Sequence, residues 1–206
     1  MNSSAAALAL LGGVAFALMA LLGLFVRRGA WAIDPWAARV LFGHGVPAAI
    51  AFTRSGYARS IGVQLVILAL LAFVFQRGLV EVAVLGLSQS SGQIAINHVL
   101  KPFFARARPE EFHYRRERSP AYPSGHAATG VVFYGGIALL APYAFHGQPL
   151  AIETVRIAAC LWGLGLIWSR VALGAHYATD VLGGLLFGLG WAAEALALSH
   201  FGGISV

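Results

Sequence analysis

From Ala5 to Val26 the chain carries no charged side chain, and long apolar runs of this kind recur along it. About 20 apolar residues carry a helix across a bilayer. In lipid, only helices and closed barrels satisfy their own backbone hydrogen bonds. The pattern predicts spans at Ala5–Val26, Tyr57–Gln76, Leu79–Leu100, Ser124–Phe145, Ile152–Val171 and Tyr177–Leu198. Between the first two, Trp31 and Trp36 flank Asp34 and Pro35, and the apolar stretch Val40–Phe52 is broken by Gly43, His44, Gly45 and Pro47. That segment reads as an interfacial helix anchored by its tryptophans. The expected fold class is all-α: a polytopic membrane helix bundle with six transmembrane helices plus an interfacial segment. One domain over residues 1–206 is expected, with a motif-bearing core at about 97–198. No basic segment precedes the first run, so it reads as a retained span and not a signal peptide.

Composition agrees. Apolar residues make up 59%, charged residues 11%, and mean hydropathy is +0.76, whereas soluble domains carry roughly 25% charged residues. The net charge of +6 comes from basic residues in short segments between apolar runs. That placement fits anionic headgroups or a phosphate-bearing substrate better than nucleic acid. Cys160 is the sole cysteine, which excludes an intramolecular disulfide. It lies in an apolar run and reads as a small packing residue. In the third span, Ser88, Gln89, Ser90, Ser91 and Gln93 are expected to face other helices.

Ionisable residues at membrane-helix ends are costly and point to function. Here they form three clusters. Lys101, Arg108 and Pro109 follow span three; Pro123, Ser124, Gly125 and His126 open span four; Ser169 and Arg170 close span five, with His176 and Asp180 opening span six. Successive spans alternate in direction, so all three clusters meet at one membrane face. Three cations gathered there suit a dense anion, because arginine forks and a lysine point charge match phosphate oxygens. Ser124 and Gly125 at a helix N-terminus add backbone donors. His176 and Asp180, four apart, share a helix face. Asp180 can accept the Nδ1 proton of His176, leaving Nε2 to attack phosphorus, and His126 can protonate the leaving oxygen. No carboxylate cluster offers a metal site, so no metal and no other cofactor is expected.

These segments, K-x6-R-P, P-S-G-H and S-R-x5-H-x3-D, resemble those of the type 2 phosphatidic acid phosphatase superfamily, which includes lipid phosphate phosphatases and vanadium haloperoxidases. Every motif position is filled: Lys101 with Arg108 and Pro109, then Pro123 to His126, then Ser169 and Arg170 with His176 and Asp180. The resemblance implies a phosphohistidine at His176, oriented by Asp180, with His126 as general acid. It further implies that Lys101, Arg108, Ser124, Gly125 and Arg170 hold the phosphate, without metal. The expected activity is hydrolysis of a lipid-linked phosphate such as undecaprenyl diphosphate, phosphatidylglycerol phosphate, phosphatidic acid or a lipid A phosphate. Of these, the compact form and basic loop favour the polyprenyl diphosphate. Partners are the lipid substrate and membrane lipids, with oligomeric state left open. Alternatives are a phosphotransferase using the same intermediate, a haloperoxidase (whose relatives are soluble) and a transporter, which leaves the motifs unexplained.

Other residues carry milder expectations. Arg106, Arg115, Arg116 and Arg118 read as a solvated basic loop at anionic headgroups, with substrate contact the alternative. Asn97 is a candidate brace for Lys101, one turn on. His98 reads as packing or interfacial, and His44, His113, His146 and His200 as loop or interface residues. Glu194 reads as interfacial or paired. Orientation is in tension. Of the 14 lysines and arginines only Arg77 and Arg156 fall on the face opposite the motifs, which places the site in the cytoplasm by the positive-inside rule. The resemblance implies the opposite: a bacterial inner membrane with the site on its outer face.

Overall fold

The computed structural model describes residues 3–115 and 117–201, and among these every regular element is helical. Eight helices follow in order. They are α1 (Ser3–Val26), α2 (Ile33–Leu41), α3 (Val46–Ser55), α4 (Ala58–Val74), α5 (Leu79–Phe104), α6 (Gly125–Ala144), α7 (Pro149–Ala172) and α8 (Ala178–Phe201). Five of them, α1 and α5 to α8, are long and apolar enough to cross a membrane. The pair α3–α4, bent by 62°, makes a sixth if it is one span. At 1.5 Å per residue, helices of this length cover the roughly 30 Å of bilayer hydrocarbon.

The expected second span is thus the longer arm of a broken helix. Its other arm, α3, lies in the stretch read as interfacial. The bend falls at Gly56, where a Cβ would come within 2.7 Å of the His126 ring. Only a residue without a side chain lets α3 pass so close to α6.

The bundle turns Leu, Val, Ile and Phe outward, as at Leu10, Leu70, Leu87 and Leu161, all exposed. Its interior holds large side chains such as Phe133, Leu166 and Phe187, and small residues make the closest helix contacts. α1 buries Ala5, Gly12, Ala15, Met19 and Gly23 at intervals of three, four and seven, and it packs most extensively against α8. Lipid removes the hydrophobic drive between helices, so close backbone approach through small side chains takes over. Cys160 faces outward instead of packing, since a thiol costs little against lipid tails.

The polar residues of α5 divide. Gln89 is buried and donates to the Thr129 hydroxyl at 2.8 Å, and Gln93 donates to the Gly125 carbonyl at 2.9 Å. Ser90 and Ser91 are exposed; Ser91 turns back to its own helix, donating to the Leu87 carbonyl at 2.6 Å. A serine hydroxyl can satisfy itself four residues back, so it needs no neighbouring helix.

α2 presents two faces. Trp36 and Val40 point outward, while Asp34 and Ala37 are buried. That spacing lays the helix flat on the bundle with its tryptophan toward the lipid. Two π-helical turns widen longer helices, Ile96–Leu100 ahead of Lys101 and Gly130–Gly135 after His126. Such turns shift helix register and concentrate near functional sites.

Candidate active site

The ends of α5 and α7 and the starts of α6 and α8 meet on one face, as the alternation of spans requires. The third motif owes its spacing to the end of α7. Gly174 adopts φ +69°, a left-handed turn that glycine enters without a Cβ penalty. The chain doubles back there, and the Ala175 and His176 amides donate to the Arg170 carbonyl at 3.0 and 3.1 Å. His176 is thereby pinned beside Arg170. At the start of α8, Asp180 reaches back to accept the Tyr177 amide at 2.9 Å, as an N3 carboxylate does in a capping box.

His176 is buried, and its Nε2 lies 3.2 Å from Arg108 Nη1. A guanidinium only donates, so Nε2 must accept, and the ring hydrogen sits on Nδ1. That nitrogen lies 3.6 Å from Asp180 Oδ2, close but beyond hydrogen-bond length. Burial, followed by the charges of Arg108 and Arg170, holds the imidazole's pKa well below the ordinary histidine value. The ring is a neutral base with its lone pair at Nε2.

His126, buried in the first turn of α6, makes the opposite choice of nitrogen. Its Nε2 is 3.2 Å from the Thr53 carbonyl, which can only accept. Nε2 therefore carries a hydrogen and Nδ1 is left to exchange protons. The Tyr57 ring meets it edge-on at 4.9 Å. Thr53 also accepts from Arg170 Nη1 through its hydroxyl. The bent α3 so holds both an arginine and a histidine of the site.

Lys101 is buried, with Nζ 3.1 Å from the Ser119 hydroxyl. Arg108 donates to the carbonyls of Ser119 and Ala175, both at 2.7 Å. Ser124 caps α6, its Oγ accepting from the Ala127 amide at 3.4 Å while its own amide donates to the Asp180 carbonyl at 3.0 Å. Gly125 lies against Gln93, whose Oε1 a Cβ would approach to 2.9 Å. A cleft of about 460 Å³ opens at this point, lined by Lys101, Gly125, His126 and His176 at its polar end. Its other walls include Ile61, Leu65 and Ile94, from α4 and α5.

Sequence reasoning missed Glu117. Its carboxylate bridges two of the expected phosphate ligands, at 2.8 Å from Arg108 Nη2 and 2.5 Å from Arg170 Nη2. Burial works to raise its pKa, but Arg170 and Arg108 outweigh that and hold it at about 2. A carboxylate thus stands where the cations gather. The charge alternation in Arg115 to Arg118 was the only hint in the sequence.

Arg106 corrects the solvated-loop reading. It is 3% exposed and pairs with Asp180 at 2.6 Å and Asp34 at 2.9 Å. A buried guanidinium needs such partners. Arg115 and Arg118 are exposed, while Arg116 lies outside the described residues. Asn97 donates to the Gln93 carbonyl at 2.9 Å, with no contact to Lys101 among the described bonds. His44, His98 and His146 are exposed, His113 stacks on Phe42, and the His200 side chain lies outside the described residues. Glu194 lies half-buried over Gly12 of α1.

The PAP2 superfamily profile matches residues 81–202, more than half of the chain. Two lipid A 1-phosphatases are similar, at 37% identity over 53% of this chain for that of Rhizobium etli and 35% over 48% for that of Rhizobium johnstonii. The phosphatidylglycerophosphatase B of Bacillus subtilis is 35% identical over 46% of this chain. These matches span only 46%, 39% and 46% of the relatives' own lengths. The fold is similar to the crystal structure of a transmembrane PAP2 type phosphatidylglycerolphosphate phosphatase from Bacillus subtilis. Its TM-score is 0.72 at 24% identity, covering 94% of this chain and 97% of that one. With its profile match running through all three motif clusters and its bundle superposing nearly end to end, the chain belongs to the PAP2 superfamily.

Proposed function

We propose that this protein is a membrane lipid phosphatase that removes a terminal phosphate through a phosphohistidine at His176. The observation that carries this reading is the cleft itself. Its polar end joins two histidines of complementary tautomer to Lys101 and Gly125, and its other walls set apolar Ile61, Leu65 and Ile94 beside Gln89, Gln93 and Asn97. A phosphate carried on a lipid fits both ends at once. The names of the similar proteins lean the same way.

In this mechanism the substrate phosphate displaces Glu117 from Arg108 and Arg170, which then hold its oxygens bidentately. His176 Nε2 attacks phosphorus, and the bond to the lipid oxygen breaks. His126 takes a proton at Nδ1 from the arriving phosphate, its Nε2 hydrogen staying directed at the Thr53 carbonyl, and gives it to that oxygen, releasing the dephosphorylated lipid. The imidazole is now cationic, with its Nδ1 proton directed to Asp180. His126 next takes a proton from water, the hydroxide attacks phosphorus, and the N–P bond breaks to free phosphate. Charge developing on the phosphoryl oxygens meets fixed cations, including Lys101, which supply the electrostatic stabilisation the transfer needs.

The test is phosphate release by purified protein in detergent, with EDTA present, from undecaprenyl diphosphate, phosphatidylglycerol phosphate, phosphatidic acid and a lipid A phosphate. Metal-independent release, blocked by vanadate and absent in His176→Ala, is expected. Full turnover by His176→Ala, or no release from any substrate by folded protein, refutes the reading.

The same proposal sets the site on the outer face of a bacterial inner membrane. The burial of Arg106 takes one basic residue out of the count that opposes this. Arg118→Cys in a Cys160→Ala background is expected to react with an impermeant thiol reagent in spheroplasts. Reaction only in inverted vesicles reverses the orientation.

A further inference from the structure

Asp34 lies in the interfacial helix α2, distant in sequence from every motif, yet its side chain is fully buried against the site. Four groups donate to it: the Trp31 amide at 3.0 Å, the Thr179 amide and hydroxyl at 2.9 Å, and Arg106 Nη2 at 2.9 Å. Arg106 forks between two carboxylates. One arm reaches Asp34 and the Gly29 carbonyl; the other reaches Asp180 Oδ1 at 2.6 Å and the Thr179 hydroxyl at 2.7 Å. The Tyr177 ring covers the guanidinium at 4.5 Å. Asp180 Oδ2 is left to the Tyr177 amide and to His176 Nδ1.

The charge count in this sealed cluster is two carboxylates to one guanidinium. One unit of negative charge stays uncancelled, and the only face of the cluster turned toward the reaction is Asp180 Oδ2. From this we propose that Asp34 is a positioning residue for the nucleophile. By sharing Arg106, it keeps Asp180 from being neutralised, so that a full negative charge faces His176 when its ring becomes cationic. The inference rests on the proposed role of His176 as nucleophile.

The charge and the shape of Asp34 are separable. Asn in its place is isosteric and keeps one oxygen for the Thr179 amide. Arg106 is then balanced by Asp180 alone, and the phosphorylated imidazolium faces a neutral pair. The charge is needed in the transition state and not for binding, so its loss falls on kcat and leaves KM alone. Groups that support metal-ligating residues from behind are worth ~10–100-fold in activity, and an effect of that order is expected of Asp34 by the same logic.

The experiment compares Asp34→Asn, Asp34→Glu, Asp180→Asn and the double Asp34→Asn/Asp180→Asn, with kcat, KM, melting temperature and inorganic-phosphate affinity measured for each. Asp34→Asn is expected to lose ~10–100-fold in kcat, with KM and phosphate affinity within about twofold. Asp34→Glu, which keeps the charge, should recover most of that loss. In the Asp180→Asn background the Asp34 change should cost no further kcat per folded enzyme, because its charge acts on the reaction only through Asp180, although the double variant, with Arg106 buried without a carboxylate, melts lower. A wild-type kcat in Asp34→Asn overturns the proposal. So does an equal loss in Asp34→Glu, or the same fold-loss in both Asp180 backgrounds, since each marks a merely structural role. His176→Ala keeps the two readings apart. Turnover without His176 refutes the phosphohistidine mechanism itself. No turnover in His176→Ala beside normal turnover in Asp34→Asn refutes only the role of Asp34.

Discussion

Two arginine–carboxylate clusters lie side by side in this protein and are built to opposite ends. In one, Arg106 sits between Asp34 and Asp180, with side chains at most 2% exposed. Both of its terminal nitrogens are taken by groups that belong to the fold. In the other, Arg108 and Arg170 share Glu117, whose side chain is 18% exposed and lines the cleft. The difference lies in the surroundings, since the functional groups are the same. A sealed pair cannot exchange its partner for water or ligand, so it acts as scaffold. A pair with one edge in a cleft is free to give up its carboxylate to a better anion, which is the receptor role proposed for it.

The most severe way to break the comparison is to remove the scaffold cation. Arg106→Met leaves Asp34 and Asp180 buried together without a counterion. Breaking a buried pair in this way costs about 3–5 kcal/mol. For a chain of this size, that lowers the melting temperature by about 6–20 °C. Turnover should vanish with it, because Asp180 loses the group that fixes its orientation. Thermal unfolding in detergent, followed by tryptophan fluorescence, measures the first effect, and phosphate release the second. A variant that melts like the wild type would mean the cluster is as replaceable as the one in the cleft.

How legible these clusters were differs for the same physical reason. Bilayer thickness fixes span length, so the six apolar runs set the long helices to within a few residues. The three motifs also met on one face, because alternation of spans forces it. What hydropathy does not record is a partner chosen in three dimensions. Asp34 and Arg106 are 72 positions apart, and nothing in either segment names the other. Arg106 reads as a loop arginine like Arg115 until the fold buries it. Glu117, with arginines around it in sequence, reads as loop charge for the same reason. The bend at Gly56 was hidden as well. Gly56 is one glycine among 25, and its reason is the His126 ring passing on the far side. Thr53 was lost with it: a threonine in a segment read as interfacial gives no sign that its carbonyl fixes the tautomer of His126. The π-helical turn before Lys101 likewise spoils any face assignment by 3.6-residue counting, which is why Asn97 meets Gln93 and not the lysine.

A milder change sharpens the comparison from the receptor side. In Glu117→Gln the arginines keep a polar neighbour but lose their resident anion, so an incoming phosphate no longer has to displace a charge. The expected result is tighter binding: KM, and the inhibition constants of inorganic phosphate and vanadate, fall by ~3–10-fold, on the order of 1 kcal/mol. Release of phosphate slows accordingly, so product inhibition deepens while kcat is unchanged or lower. At neutral pH the melting temperature should fall, since the variant loses the ion pairs of Glu117 with Arg108 and with the buried Arg170. Acid narrows the gap between the variant and the wild type. Glu117 is held at about 2 in the folded protein, below its ordinary value. Its contribution to stability is therefore complete above the ordinary carboxylate range near 4.3 and is lost as pH falls from there toward 2. The wild type should lose stability over that window, and Glu117→Gln, with no carboxylate to protonate, should lose less of it. Unchanged phosphate inhibition in the variant would make Glu117 part of the scaffold, and the two clusters would then be alike.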